Sequence, residues 1–214
     1  MAERMSRRVA LVLAVALAAG CRSLPVSLSE TPQSFSAKDY ERIFERWTRE
    51  KQIYNLDTFD NSLTVSSTFR SWQFRQAYVA RYADDYGLDG AGREALLAEQ
   101  RLEYEASNEF LVAATATKPA WADFSREDSP WVISLVNDGG VHVGPASLEK
   151  ISKPSPLLQA YYPSINVYRT TFLVRFPKAA AEGGPPVLSK DIRSFSLVFA
   201  GALGRAELVW KVGD

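Results

Sequence analysis

The sequence predicts a mainly β protein in which a helical segment is inserted into an antiparallel β-sandwich. In the second half of the chain, short stretches alternate apolar and polar residues between clusters of Gly, Pro, Asn and Asp, as expected for strands separated by turns. The first half contains helix-forming sequence, and no strand–helix–strand alternation is present, which argues against a parallel nucleotide-binding sheet. Aromatic residues make up 12% of the 214 residues, enough to fill the core of one domain.

An amphipathic helix is predicted to open this domain at Ser36. Ser36 and Asp39 have the spacing of a capping box, with Asp in the position where Glu is preferred. Apolar residues then recur at i, i+3, i+4 and i+7, which places them on one helix face; they are Tyr40, Ile43, Phe44 and Trp47. We expect this face to pack on the domain, with docking of a partner as the alternative.

A strand and a helical hairpin are predicted to follow. Residues 56–68 alternate apolar and β-branched residues with Thr and Ser, which is typical of a strand. Ser71 is expected to cap a first helix that ends at Gly87, and Asp89 is expected to cap a second. Because the connection is short, the pair is predicted to form an antiparallel αα-hairpin at about residues 70–107. The apolar residues of the second helix are Leu96, Leu97 and Leu102.

From Phe110 onward the chain is predicted to be β-structure. Asn137-Asp138-Gly139-Gly140 is a hairpin turn signal between two of the strands. The strands predicted from alternation are Phe110–Thr117, Trp131–Val136, Val141–Val143, Tyr168–Phe176, Phe195–Phe199 and Ala206–Val212. Segments within the later strands, Phe172–Pro177 and Leu208–Val212, resemble the terminal strands of many Ig-like envelope domains. The resemblance implies an Ig-like β-sandwich, with residues 36–214 as a single domain, but a similarity of fold carries no function.

The N-terminal segment has the features of an export signal. Arg7 and Arg8 precede an apolar run, Val9 to Ala19, which is the arrangement of a secretory signal peptide. The run ends in Leu17-Ala18-Ala19-Gly20-Cys21, which resembles the lipobox of bacterial lipoproteins. That resemblance implies removal of residues 1–20, a diacylglyceryl group on the Cys21 sulfur and acylation of the new N-terminus. An ordinary signal peptide cleaved after Ala19 or Gly20 is the alternative.

Acylation of Cys21 would define both the attachment and the location of the protein. Several acyl chains on one residue give stable membrane anchoring, and residues 21–35 are predicted to be a polar tether. Arg22 rather than Asp follows the cysteine, which is similar to lipoproteins destined for the outer membrane of Gram-negative bacteria. Cys21 is the only cysteine, so its acylation would leave no free thiol and no disulfide.

Composition and motifs argue against several classes of function. Lys and Arg together number 25, as do Asp and Glu, so no basic surplus exists to bind nucleic acid. His142 is the single histidine and no Gly-x-Ser-x-Gly motif is present, so neither a catalytic triad nor the usual zinc ligand sets are expected. Asp123, Glu127 and Asp128 form an acidic cluster where a calcium site is an alternative to a solvated loop. We therefore predict no catalytic residues, no metal and no cofactor, with a carboxylate-pair hydrolase as a minor alternative.

Aromatic residues near predicted loops are the remaining candidates for binding. Trp121, Tyr161 and Tyr162 lie in or beside such loops, where their rings could stack on a sugar or anchor a partner. The alternative is that they pack the ends of the sandwich. The sequence thus predicts a membrane-anchored envelope lipoprotein that is a non-catalytic interaction or structural module, with an envelope protein as partner. Binding of glycan or peptidoglycan through these aromatics is the alternative function.

Overall fold

The computed structural model describes residues 24–213. The predicted signal peptide and Cys21 therefore lie outside the described residues. Within them the strands are β1 (Thr48–Asn55), β2 (Asp60–Phe69), β3 (Asn108–Thr115), β4 (Trp131–Asn137), β5 (His142–Val143), β6 (Ser147–Ile151), β7 (Thr170–Phe176), β8 (Ser194–Gly201) and β9 (Gly204–Lys211). The helices are α1 (Tyr40–Trp47), α2 (Trp72–Asp85), α3 (Gly90–Ala106) and α4 (Pro156–Tyr161), with 3₁₀ turns at Ala37–Asp39 and Pro119–Ala122. None of the helices between residues 24 and 213 is long and apolar enough to cross a membrane.

The protein is mainly β, with two antiparallel sheets. One has the order β1-β2-β3-β7-β6 and the other the order β5-β4-β8-β9. Aromatic rings from the two sheets contact one another, with ring centroids 5.4 Å apart for Phe69 and Phe195 and 5.7 Å apart for Phe110 and Trp210. These four side chains are at most 2% exposed. Large, buried aromatic side chains thus meet between the sheets.

Helices α2 and α3 lie against the other face of the five-stranded sheet. All residues of β3 except Thr115 are buried, although successive side chains of a strand point to opposite faces. Phe110 faces the four-stranded sheet, so Glu109 and Leu111 face the opposite side. On that side the Glu109 carboxylate accepts a hydrogen bond from Arg75 of α2. Helix packing therefore explains why β3 is buried on both faces.

The predicted helices are confirmed, together with their N-terminal caps. Ser36 and Asp39 form a capping box before α1, and Tyr40, Ile43 and Trp47 are buried. The Ser71 hydroxyl accepts from the N–H of Phe74 (3.1 Å), and the Asp89 carboxylate accepts from the N–H of Gly92 (2.8 Å). The helical hairpin lies between β2 and β3. Its second helix buries Gln100, whereas Leu102 is 70% exposed, because the inner face of α3 meets a polar network.

Several predicted boundaries are corrected. The strand expected at residues 56–68 begins at Asp60, since Asn55 Oδ1 accepts from the N–H of Asp57 and starts a turn. Tyr168 precedes β7 and is 85% exposed. Three elements were not expected from the sequence, namely β1, β6 and α4. The first two have polar sequences that lack alternation and are defined by pairing with β2 and β7.

The described part of the segment before α1, residues 24–35, contacts the domain, whereas the sequence predicted a polar tether at residues 21–35. Val26 is fully buried, and its N–H donates to the carbonyl of Lys211 (2.8 Å). The N–H of Gly213 donates back to the carbonyl of Val26 (3.0 Å). Farther along, the N–H of Gln33 donates to Oε1 of Gln76 on α2 (2.5 Å). From Val26 onward the chain is therefore held on the domain, at the end of β9 and along α2.

Candidate functional site

A cleft of about 480 Å³ opens in the helical layer between α1, α2 and α4. Its volume falls within the range of small-ligand sites, about 300–1,000 Å³. Aromatic and charged side chains share its walls. The principal lining residues are Tyr40 and Glu41 of α1, Arg81 and Asp85 of α2, Tyr86 at the end of α2, and Leu157 and Tyr161 of α4.

Short-range sequence features hold α4 in place beside the cleft. The Ser155 hydroxyl accepts from the N–H of Leu158 (3.1 Å), and Pro156 occupies the first turn, where its missing N–H is no disadvantage. Tyr161 ends this helix, and its carbonyl accepts from the Tyr40 hydroxyl (2.6 Å). The aromatic face of α1 thus fixes the position of α4, and with it one wall of the cleft.

A row of tyrosines on α2 forms the aromatic part of the site. Tyr78, Tyr82 and Tyr86 are four residues apart, so they lie on one helix face. The rings of Tyr82 and Tyr86 are stacked, with centroids 4.4 Å apart and an interplanar angle of 23°. Tyr161 packs on this row, edge-on against Tyr78 at 5.2 Å and stacked with Tyr82 at 6.1 Å. Tyr86 at the outer end is 54% exposed, so it offers a ring to a ligand.

A chain of polar contacts borders the cleft. The Tyr161 hydroxyl donates to Asp85 Oδ2 (2.7 Å), Arg81 Nε donates to the same oxygen (2.8 Å), and Arg81 also donates to Glu41 (2.8 Å). The hydrogen bonds from Tyr161 and Arg81 lower the pKa of Asp85, which keeps this carboxylate ionised. Burial and the neighbouring Asp85 raise the pKa of Tyr161, which therefore remains a neutral donor. The border presents two carboxylates and one guanidinium.

The three aromatic residues predicted to bind ligand lie in different surroundings. Tyr161 lines the cleft but is 5% exposed, so it supports the wall more than it offers a ring face. Tyr162 is 4% exposed and packs between Phe44 and Phe74, with centroids 6.1 and 5.7 Å away. It is a core residue, because the chain turns inward after α4. Trp121 is half-buried in the second 3₁₀ turn and does not line the cleft.

Sequence reasoning missed most residues of the cleft. The spacing of Tyr78, Tyr82 and Tyr86 within a predicted helix was the one available signal. The contribution of Glu41 and Asp85 depends on how α1 packs against α2, which no local pattern reveals.

The other candidates from the sequence are placed on the surface. Asp123 accepts from Lys150 Nζ (2.7 Å) and Asp128 pairs with Arg126 (2.8 Å). Among the described residues, no three His, Cys, Asp or Glu side chains converge in a way that could hold a metal ion. His142 is exposed on β5 and pairs with Val136 of β4.

The cleft combines an exposed ring, supporting rings that are buried or half-buried, and a charged border. Such a combination suits recognition of a ligand that has an apolar face and hydrogen-bonding groups at its edge. Comparisons with protein families, with curated proteins and with solved structures find no match to this chain. The roles of these residues are therefore inferred from their own geometry.

Proposed function

We propose that the chain is a lipid-anchored protein of the bacterial envelope and that its domain is a non-catalytic interaction module. The observation that carries the proposal is the tyrosine cleft, whose exposed Tyr86 ring is backed by packed rings and bordered by Asp85 and Arg81. Preorganised aromatic anchors of this kind dominate binding energies at interfaces. The lipobox resemblance at Cys21 supports attachment to the membrane, with the outer membrane as the proposed location.

We also propose that β2 to β9 form an Ig-like sandwich. In Ig-type domains one sheet has the order A-B-E-D and the other includes C, F and G, extended by C′ in variable-type domains. The orders β2-β3-β7-β6 and β5-β4-β8-β9 correspond to A-B-E-D and C′-C-F-G. In this assignment β1 is an additional edge strand, and the helical hairpin is an insertion between A and B.

Membrane anchoring is tested by intact mass and fractionation of the wild type and of Cys21→Ala. We expect the wild type to carry the mass of acyl chains and to sediment with membranes, while Cys21→Ala is released. An unmodified, soluble wild type would disprove the anchor.

Interaction through the cleft is tested by photo-crosslinking in cells. A photoreactive phenylalanine derivative at position 86 should trap a specific envelope component, whereas the same group at position 168, which is 85% exposed and outside the cleft, should not. Equal labelling from both positions would contradict a role for the cleft.

Glycan binding is a second candidate function, favoured by the stacked Tyr82–Tyr86 pair beside two carboxylates and one guanidinium. Sugar rings pack their apolar faces on aromatic rings, and their hydroxyls bond to charged side chains. We expect retention on isolated peptidoglycan to weaken about tenfold in Tyr86→Ala, a loss of about 1.4 kcal/mol, and to be unchanged in Tyr168→Ala. Equal retention of both variants would discard the glycan function and leave a protein partner.

A further inference from the structure

A second groove, of about 840 Å³, lies where the chain enters the domain. Its walls come from residues 27–31, the end of α3, and the loop between β7 and β8. Several hydroxyl groups and one partly buried lysine line it. The residues used below are Ser27, Ser29, Thr31, Glu30, Tyr104 and Lys178.

Lys178 is held in a defined position with hydrogen-bonding capacity unused. Its Nζ lies 3.8 Å from the centroid of the Tyr104 ring and donates to Asn108 Oδ1 (3.3 Å). The side-chain amide nitrogen of Asn108 donates to the carbonyl of Pro177 (3.0 Å). This bond orients Asn108 Oδ1 toward the lysine. Among residues 24–213, no carboxylate lies within 4.0 Å of Nζ. An ammonium group has three donors; one bonds to Asn108 and the Tyr104 ring lies against a second, which leaves one for a ligand.

Two of the three acidic residues that line the groove, Glu30 and Glu105, are paired with other residues, and the third, Asp191, is exposed on the loop between β7 and β8. Glu30 accepts from Arg101 (2.6 Å) and from the Tyr104 hydroxyl (3.3 Å), and Glu105 accepts from Arg101 (2.5 Å). Burial, reinforced by Arg75 and Arg101 and opposed by Glu30, lowers the pKa of Lys178 to about 8. A bound anion would therefore stabilise the charged form of this lysine.

We propose that this groove binds the phosphate of an anionic phospholipid headgroup, with Lys178 as its cationic partner. The inference rests on the proposed membrane anchor for its choice of a lipid. Val26 is fixed to the end of β9, and it follows Cys21 by five residues. An extended chain spans at most about 3.6 Å per residue, so the Cα atoms of Val26 and Cys21 are at most about 18 Å apart. The groove that begins at Ser27 is therefore held close to the headgroups.

The chemistry of the walls fits a phosphodiester. Lysine binds phosphate as a point charge, and the hydroxyls of Ser27, Ser29 and Thr31 on the wall formed by residues 27–31 can donate to phosphate oxygens or bond to a glycerol headgroup. Binding at this point would add a second membrane contact to the acyl anchor. The domain would then keep one orientation on the bilayer instead of rotating about its N-terminus.

The test uses the full chain with Cys21→Ala, so that its result does not depend on acylation. Dihexanoylphosphatidylglycerol, kept below its micelle concentration, is titrated while the lysine side-chain NMR signals are recorded. We expect saturable shifts at Lys178 and a rise of its pKa, since an opposite charge at close range favours the charged form of a lysine. The proposal is overturned if the Lys178 signals show no saturable shift, whether or not Cys21 is acylated in the wild type.

Substitutions and other ligands sharpen the result. Lys178→Met should weaken binding about tenfold or more, equivalent to about 1.4 kcal/mol, while Lys153→Met, an exposed lysine outside the groove, should not change it. Unaltered binding by Lys178→Met would overturn the assignment of the lysine. Inorganic phosphate is the comparison ligand. If inorganic phosphate binds as tightly as the lipid, the groove is a site for free phosphate, and the proposal of a lipid ligand is overturned.

Discussion

The space between the two sheets and the contact between the sheet and its helices are held together in different ways. Between the sheets, Phe69 and Phe110 meet Phe195 and Trp210, and the contacts are apolar. On the helical side, an ionic contact is almost completely buried. Arg75 of α2 is fully buried and the Glu109 side chain of β3 is 4% exposed.

The ionic contact is a network that joins four elements. One Glu109 oxygen accepts from both Arg70 and Arg75, and the other accepts from Arg175 of β7 (2.9 Å). Arg75 also donates to Gln100 (2.7 Å) and to Glu103 (2.5 Å), both on α3. Apolar packing tolerates many geometries, whereas buried charges require specific partners. The difference teaches that the sheets are stabilised by apolar burial, whereas directed bonds position α2 and α3 on the five-stranded sheet.

The largest effect is expected between the sheets. Phe110→Ala removes a fully buried ring at the centre of the contact and should lower the free energy of unfolding by about 4 kcal/mol. Urea denaturation measures the change. Phe59→Ala is the matched control, because Phe59 is 77% exposed and its loss should change stability by less than about 0.5 kcal/mol. Similar effects of the two substitutions would show that this contact is not the main source of stability.

Breaking the ionic network is expected to have the next largest effect. Arg75→Met leaves Glu109 and Glu103 with fewer partners and should lower the free energy of unfolding by about 3 kcal/mol. Arg126→Met, in an exposed pair with Asp128, should cost less than about 0.5 kcal/mol. If the network acts as a unit, Arg75→Met and Glu109→Gln together should destabilise less than the sum of the single variants, by about 1 kcal/mol or more. Strict additivity would contradict direct coupling.

Acid should weaken the helical layer more than the contact between the sheets. Burial alone would raise the pKa of Glu109, but Arg70, Arg75 and Arg175 outweigh it and lower that pKa below its ordinary value. Because the folded-state pKa is lowered, this stabilisation is present above the unfolded pKa of about 4.3 and is lost as the pH falls below it.

The urea midpoint measured between pH 7 and pH 3 tests this dependence. Glu109→Gln should reduce its fall with acid. Part of the fall of the urea midpoint with acid should remain in this variant, because the pKa values of Asp85 and Asp123 are also lowered. Glu207→Gln, at an exposed position on β9, should leave the pH dependence as in the wild type. An unchanged dependence in Glu109→Gln would show that Glu109 is not a source of the acid sensitivity.

The same difference explains how far the sequence predicts the structure. Strands β4, β8 and β9 were expected because apolar residues occupy every second position, and in β9 these buried positions alternate with exposed ones. Strand β1 has the sequence TREKQIYN and pairs with β2 along its whole length. Backbone hydrogen bonding to a neighbour forms this strand without any alternation. The signals for α4, Ser155 followed by Pro156, were present but concern only six helical residues.

The cleft and the ionic network were not predictable in the same way. Helix α1, the end of α2 and α4 each contribute to the cleft, although they are far apart in the sequence. The Glu109 network likewise requires Arg75, which was predicted only as part of a helix. Charged residues in a helix are usually solvent-exposed, and burial of Arg75 depends on the docking of α3 and β3. Tertiary packing therefore decides the residues that give the helical layer its chemistry.

The smallest expected effect concerns the cap that begins α2. Ser71 is 3% exposed and its hydroxyl accepts from the N–H of Phe74, so Ser71→Ala should lower the free energy of unfolding by about 1 kcal/mol. The first turn of α2 carries Arg75, whose N–H donates to the carbonyl of Ser71 (2.9 Å). Amide hydrogen exchange should therefore accelerate in α2 more than in β8, because local opening of the helical layer requires less free energy than separation of the sheets. Equal acceleration of exchange in α2 and β8 would mean that the helices and the sheets unfold as one unit. The directed and apolar contacts would then differ in their chemistry but not in the free energy needed to open them.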